Sequence, residues 1–198
     1  MTDEIIVRIG TPDDVDNVMQ LAMLVAHENA PGVPSGRKIL QAIWDGLNKH
    51  YGMVGIVGPK DSKNVHGFVL LKIHQPWYSE ERVIEECGTY VHPDWRGKKL
   101  MSPSGADRSA GKAPGRAAML YRFCKRVADE MNCKLVIGVM SRHRLESKLR
   151  YYERFFGERA GAFFVYDPTQ EAQKRMLSDL HTADKQGHIV RRFADKGI

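Results

Sequence analysis

Between Arg96 and Leu120 the chain reads RGKKLMSPSGADRSAGKAPGRAAML, with five basic residues before Gly115, four glycines and two prolines. A β-rich run precedes this stretch, and its end has the apolar spacing of a helix. A strand, a glycine-bearing loop and a helix start together present backbone N–H groups to phosphate oxygens, so anion binding is the chemistry suggested here. Two familiar phosphate motifs are excluded. A triphosphate loop needs G-x-x-x-x-G-K-[S/T], but Gly105 and Gly111 are separated by five residues. Lys112 is followed by Ala113, which offers magnesium no hydroxyl. The dinucleotide pattern G-x-G-x-x-G is also absent. No metal site is expected, because His92 and His143 have no further ligands at usable spacing. Cys87, Cys124 and Cys133 show no C-x-x-C spacing and read as small reduced core thiols.

The elements that must position this loop can be read in order. IIVRI (5–9) is a short strand. TPDDVDNVMQLAMLVAHEN is a helix with Thr11 as N-cap, Pro12 in its first turn and Asp13 and Asp14 at the positive end of its dipole. APGVPSG breaks it, and RKILQAIWDGLNKH is a second amphipathic helix on Ile39, Ile43 and Leu47. GMVGIVG and VHGFVLLKIH form a hairpin across PKDSKN, and ERVIEECGTYVHP is a third β run closed by Pro93. From Gly115 a helix runs to about Asn132, with Ala117, Leu120, Cys124, Val127, Ala128 and Met131 on one face. KLVIGVM, nearly all apolar, reads as a strand buried on both faces. SRHRLESKLRYYERFFG is a charged helix, and AGAFFVYDP is a last strand. The expected fold is therefore α/β with a mixed sheet in the order β-α-α-β-β-β-α-β-α-β, over residues 1–166. A helical, basic tail follows over 167–198.

Two motifs in this frame carry a resemblance. The fourth strand leads into VHPDWRG, in which Val91, Pro93, Arg96 and Gly97 have the spacing V-x-P-x-x-R-G. The next helix opens GRAAML, with Gly115, Ala117 and Leu120 at the spacing G-x-A-x-x-L. Downstream, LVIGVMSRHRLESKLRYYERFFGERAGAFFVY completes a strand–helix–strand unit containing Y-E-R-F-F-G. Together these resemble the GNAT superfamily, the acetyl-CoA-dependent N-acyltransferases, over roughly residues 5 to 166. The chain departs from the compact family motif. Lys99 and Met101 stand where its small residues would be, as though about sixteen residues (98–114) were inserted between Arg96 and Gly115. Arg108, Gly111 and Ala113 offer a rival match, but Gly115 continues straight into the apolar helical face. At the end of the fifth strand, where many relatives carry Asn, this chain has Ser141 and Arg142.

The resemblance implies a site. Backbone groups of Thr89, Tyr90 and Val91 would hold the acetyl carbonyl and the pantetheine arm. Arg96, Gly97, Gly115, Arg116 and Ala117 would meet the coenzyme pyrophosphate, with Lys112 as a further basic candidate and Ser141 in the Asn position. Tyr152 would protonate the leaving thiolate, with Tyr151 its rival one helical position away. Glu85 would act as general base on the amine, whose ordinary pKa of about 10.4 calls for one. Glu85 and Glu86 point to opposite faces of a strand, so only one can face the cleft, and Glu86 is the substitute.

Composition adds bounds. The chain has 198 residues, 42% hydrophobic and 27% charged, with a formal charge of +6 that favours anionic partners. No run approaches eighteen apolar residues and no signal-peptide pattern opens the chain, so a cytoplasmic protein without a membrane span is expected. The function expected is transfer of an acetyl group from acetyl-CoA to a primary amine, on a small molecule or a protein, by direct attack and without a metal. The alternative is a catalytically degenerate relative that contacts nucleic acid or a protein partner through its basic loop and tail. Homo-oligomerisation is left open, with Phe163, Phe164 and the tail as docking surface.

Overall fold

The computed structural model describes residues 4–29, 32–60, 62–97, 115–139 and 145–157. Within them the order is β1 (Ile5–Ile9), α1 (Val15–Asn29), α2 (Gly36–Leu47), β2 (Gly52–Pro59), β3 (Gly67–His74), β4 (Val83–Val91), α3 (Arg116–Met131), β5 (Lys134–Ile137) and α4 (Leu145–Phe156). This is the expected succession up to the last strand. The last strand, the loop 98–114, Ser141 and the tail 167–198 lie outside the described residues.

The five strands form one sheet in the order β1-β2-β3-β4-β5. The first four are antiparallel neighbours, whereas β5 runs parallel to β4. Side chains alternate across the sheet and divide the core in two. On one face Val54, Ile56, Phe68 and Tyr90 pack under α1 and α2, against Val18, Leu21, Ile43 and Leu47. On the other, Val57, Val69, Leu71 and Ile84 pack under α3, against Leu120, Phe123, Cys124 and Val127. The close approach of α3 depends on Gly55, where an added Cβ would stand 2.5 Å from the Phe123 ring.

Helix α1 begins through a single 3-10 turn at Pro12–Asp14. Asp14 is buried and accepts both terminal nitrogens of Arg8 at 2.7 Å, together with the Thr11 N–H at 2.9 Å. The Arg8 hydrogen bonds hold the Asp14 carboxyl below the usual carboxylate range. This stabilisation is present above the ordinary carboxylate pKa and is lost as pH falls through the lowered one. Asp14→Asn should therefore cost about 2 kcal/mol at neutral pH, within the range for hydrogen bonds to charged groups. Urea unfolding at pH 7 and pH 3 checks this, the difference between the two proteins shrinking at the lower pH.

One sequence expectation is corrected at β5. Lys134 is exposed, Val136 is 45% exposed, and Leu135 and Ile137 are only half-buried, so the strand is not buried on both faces. The apolar run reports β-propensity and packing on Leu135's side, where the core under α3 lies. No helix among the described residues is long and apolar enough to cross a membrane.

Candidate active site

The site is built around an irregularity in β4. Leu70 of β3 pairs with Gly88, but its neighbour Leu71 pairs with Glu86, so Cys87 is an extra residue opposite no partner. Such a bulge changes which side chains share a face. In a regular strand, residues 86 and 89 would point to opposite sides of the sheet. Here both stand on one face, and the Thr89 hydroxyl donates to Glu86 Oε1 at 2.9 Å. The bulge also explains why Cys87, read from the sequence as a buried strand thiol, is exposed.

Glu86 is 7% exposed, and burial pushes its carboxyl up to about 7, with the Thr89 bond opposing and the neighbouring Glu85 charge reinforcing the rise. A carboxyl that titrates near neutrality can take up or release a proton under working conditions. Glu85 lies on the opposite face. It is half-exposed, 3.1 Å from His74 Nε2 and in register with Lys72. Of the two carboxylates, the structure therefore brings Glu86, not Glu85, to the α3 side of the sheet.

Tyr152 of α4 is on that same side. Its hydroxyl lies 2.7 Å from that of Tyr121, a buried residue of α3. Burial raises the Tyr152 phenol, and the Glu86 charge raises it further, while the hydrogen bond from Tyr121 acts the other way. Glu86, Tyr121 and Tyr152 thus form one electrostatic neighbourhood. Tyr151 packs against Tyr121 with ring centroids 5.8 Å apart, to the side of the hydroxyl pair.

Strands β4 and β5 pair only from Val83 to Glu86, so from Cys87 to Val91 the β4 edge has no strand partner on that side among the described residues. Thr89, Tyr90 and Val91 fall in this stretch. Tyr90 points to the α1 side and lies beneath the Arg96 guanidinium, 4.6 Å from ring centroid to carbon. Arg96 itself donates to the Val91 carbonyl at 2.7 Å and to both carboxylate oxygens of Glu28, at 2.8 and 3.3 Å. The residue read as a phosphate contact therefore ties the end of β4 to the end of α1. Gly97, with φ of +69°, follows in the left-handed region that favours glycine.

Gly115 is the N-cap of α3 in an extended conformation, and it has no side chain of its own to cap the helix. Among the described residues, a Cβ built on it meets nothing within 4 Å. Arg116 and Ala117 form the first turn. Arg116 is buried, and its Nε donates to His66 Nδ1 at 3.0 Å. Trp95 stacks on His66 at 3.8 Å, and the Arg116 guanidinium carbon sits 4.8 Å from the Trp95 ring centroid. Burial, then the Arg116 charge, lowers His66 to about 4, so it stays neutral and accepts the bond. No cluster of three or more His, Cys, Asp or Glu able to hold a metal stands among the described residues.

Sequence reasoning missed Tyr121 and the His66–Trp95–Arg116 stack. Tyr121 could have been found as the single hydroxyl-bearing residue on an otherwise apolar helical face, four positions after Ala117. The stack joins residues distant in sequence and leaves no local pattern.

No protein-family model matches the sequence, nor does any curated protein. Solved structures do match. A possible acetyltransferase from Clostridium difficile is 14% identical with a TM-score of 0.59, covering 82% of this chain and 97% of its own. A ribosomal-protein-alanine N-acetyltransferase from Brucella melitensis biovar Abortus is 18% identical with a TM-score of 0.57, covering 83% and 99%. AAC(6')-Iy, solved with the bisubstrate analog CoA-S-monomethyl-acetylneamine, is 15% identical with a TM-score of 0.57, covering 83% and 97%. The chain has the fold of the GNAT acetyltransferases.

Proposed function

We propose that this chain is an N-acetyltransferase that moves the acetyl group of acetyl-CoA to a primary amine by direct attack. The observation that carries the reading is that Glu86, held by Thr89, and the hydroxyl pair of Tyr121 and Tyr152 stand on one side of the sheet. A carboxyl poised near neutrality and a phenol it influences lie on the sheet face where β4 parts from β5. General base and general acid are the two proton-handling groups that amine acylation by a thioester requires.

The residues present also fit the co-substrate. The first N–H groups of α3 follow a glycine, which has no side chain of its own to cap them, and this suits an anion at a helix dipole. Backbone groups of Gly115, Arg116, Ala117 and Gly97 would hold the pyrophosphate, and the β4 edge at Thr89, Tyr90 and Val91 would hold the pantetheine arm. Acetyl-CoA, when bound, supplies an acetyl group activated as a thioester. Glu86 takes the amine proton, directly or through a water, and Tyr152 gives its proton to the departing sulfur. Thr89 fixes the Glu86 carboxylate, while Arg96 braces the strand from the α1 side.

The test is a calorimetric titration of the protein with acetyl-CoA, followed by mass spectrometry of acetyl transfer to small amines and to peptides with free lysine or N-terminal amines. One-site binding with transfer to an amine is expected. No binding would sink the reading and favour a partner-binding protein that keeps only the fold.

A further inference from the structure

We propose that Tyr121 is a positioning residue for acyl transfer. Its hydroxyl, bonded to that of Tyr152, fixes the direction in which Tyr152 presents its proton and holds the phenolate that Tyr152 becomes. This rests on the reading of Tyr152 as the acid that protonates the leaving thiolate.

Packing alone does not account for Tyr121. Its ring is the centre of an aromatic cluster on α4, with centroids 4.8 Å from Tyr152, 5.6 Å from Phe155 and 5.7 Å from Phe156. Phenylalanine would fill that space equally well. A buried hydroxyl needs a partner, and this one finds it in another side chain whose own hydroxyl must also be satisfied. A phenol has one proton. Tyr121 donates its proton to the Tyr152 oxygen. With Tyr121 as the donor across this 2.7 Å contact, the Tyr152 proton is left for another acceptor.

The chemistry then balances. The amine nitrogen forms the C–N bond, the C–S bond breaks, and its electron pair goes to sulfur. The Tyr152 proton follows to that sulfur, leaving its electron pair on the phenolic oxygen, which accepts the bond from Tyr121. The amine proton goes to Glu86; after the products leave, Glu86 releases that proton to solvent and Tyr152 takes one up from it. The groups that bear on the Tyr152 phenol are Glu86 of β4, Tyr121 and Cys124 of α3, and Tyr151 of α4. Burial and the Glu86 charge disfavour the phenolate, and the hydrogen bond from Tyr121 is the compensating contact.

Two measurements on the full chain test this. In the first, 3-fluorotyrosine is placed at position 152 and its titration is followed by fluorine NMR, with and without Tyr121→Phe, in the absence of any ligand. The phenol should titrate about one pH unit higher in the variant, a typical effect of losing one hydrogen bond to an ionised group. An unchanged titration overturns the proposal whatever the activity. In the second, transfer rates are compared for Tyr121→Phe, Tyr152→Phe and the double variant. Tyr121→Phe should lower kcat about tenfold with the amine KM unchanged, and the double variant should be no slower than Tyr152→Phe alone, because Tyr121 acts through Tyr152. A further loss in the double variant would assign Tyr121 a purely structural role and overturn the proposal. Wild-type rates in Tyr152→Phe would instead remove the acid role of Tyr152, and the proposal with it, while leaving acetyl-CoA binding intact. Fold integrity is read from the near-ultraviolet circular dichroism of each variant.

Discussion

Glu86→Gln should slow acetyl transfer several hundredfold, within the roughly hundred- to ten-thousandfold range of general acid–base catalysis, and should also make the protein more stable at alkaline pH. Both effects follow from one property. Burial raises the Glu86 carboxyl from its ordinary 4.5 to about 7. Between those two values the unfolded chain has released this proton and the folded chain still holds it. The folded state then binds more protons than the unfolded state, so stability falls as pH rises through this window and levels off above it. At about 1.4 kcal/mol per pH unit the full loss is on the order of 3 kcal/mol. Glutamine can still accept the Thr89 hydroxyl bond but cannot ionise. Urea unfolding at pH 5 and pH 8 should show the wild type losing roughly 2–3 kcal/mol more than the variant across that interval. Kinetically, the acid limb of kcat/KM near neutrality should disappear. If Glu86→Gln transfers at the wild-type rate while Glu85→Gln does not, the base works from the opposite face of β4.

Gly115→Asp should weaken acetyl-CoA binding by a thousandfold or more without harming the fold. Aspartate is among the preferred N-cap residues, so the substitution should stabilise α3 by a few tenths of a kcal/mol, roughly the reverse of a cap-to-glycine change. Among the described residues nothing lies within 4 Å of the new Cβ. A carboxylate there would bond the first N–H groups of α3 and place a negative charge where the pyrophosphate is expected. Calorimetry with acetyl-CoA reads the binding, and a thermal melt reads the fold. Lost binding with an unchanged or raised Tm is the expected result. Unaltered binding would move the phosphate site to another part of the chain.

The physical reasons for what could be read from the sequence differ from element to element. Helix α3 was legible because Leu120, Cys124 and Val127 recur at helical spacing and bury against one face of the sheet. The two-face alternation at Glu85 and Glu86 was also legible, but which face holds the site was not, because α3 and α4 decide it. The contacts Arg96 makes could not be read for a related reason. Its carboxylate partner, Glu28, is 68 residues away, and no local pattern links them. Tyr152 could be placed on a helix, whereas its partner Tyr121 stands 31 residues earlier and meets it only through helix packing. The bulge left one weak trace, Gly88 inside a strand pattern.

That bulge divides β4 into two reading frames. Before Cys87 the even-numbered residues Ile84 and Glu86 belong to the α3 side. After it the odd-numbered Thr89 and Val91 do, and Tyr90 crosses to the side of α1. Deleting Cys87 would make Glu86 and Gly88 consecutive opposite Leu71 and Leu70, a regular ladder that keeps Glu86 and Thr89 on the α3 side and Tyr90 beneath Arg96. Of the changes of length by one in β4, loss of the extra residue at the bulge is the one its pairing absorbs.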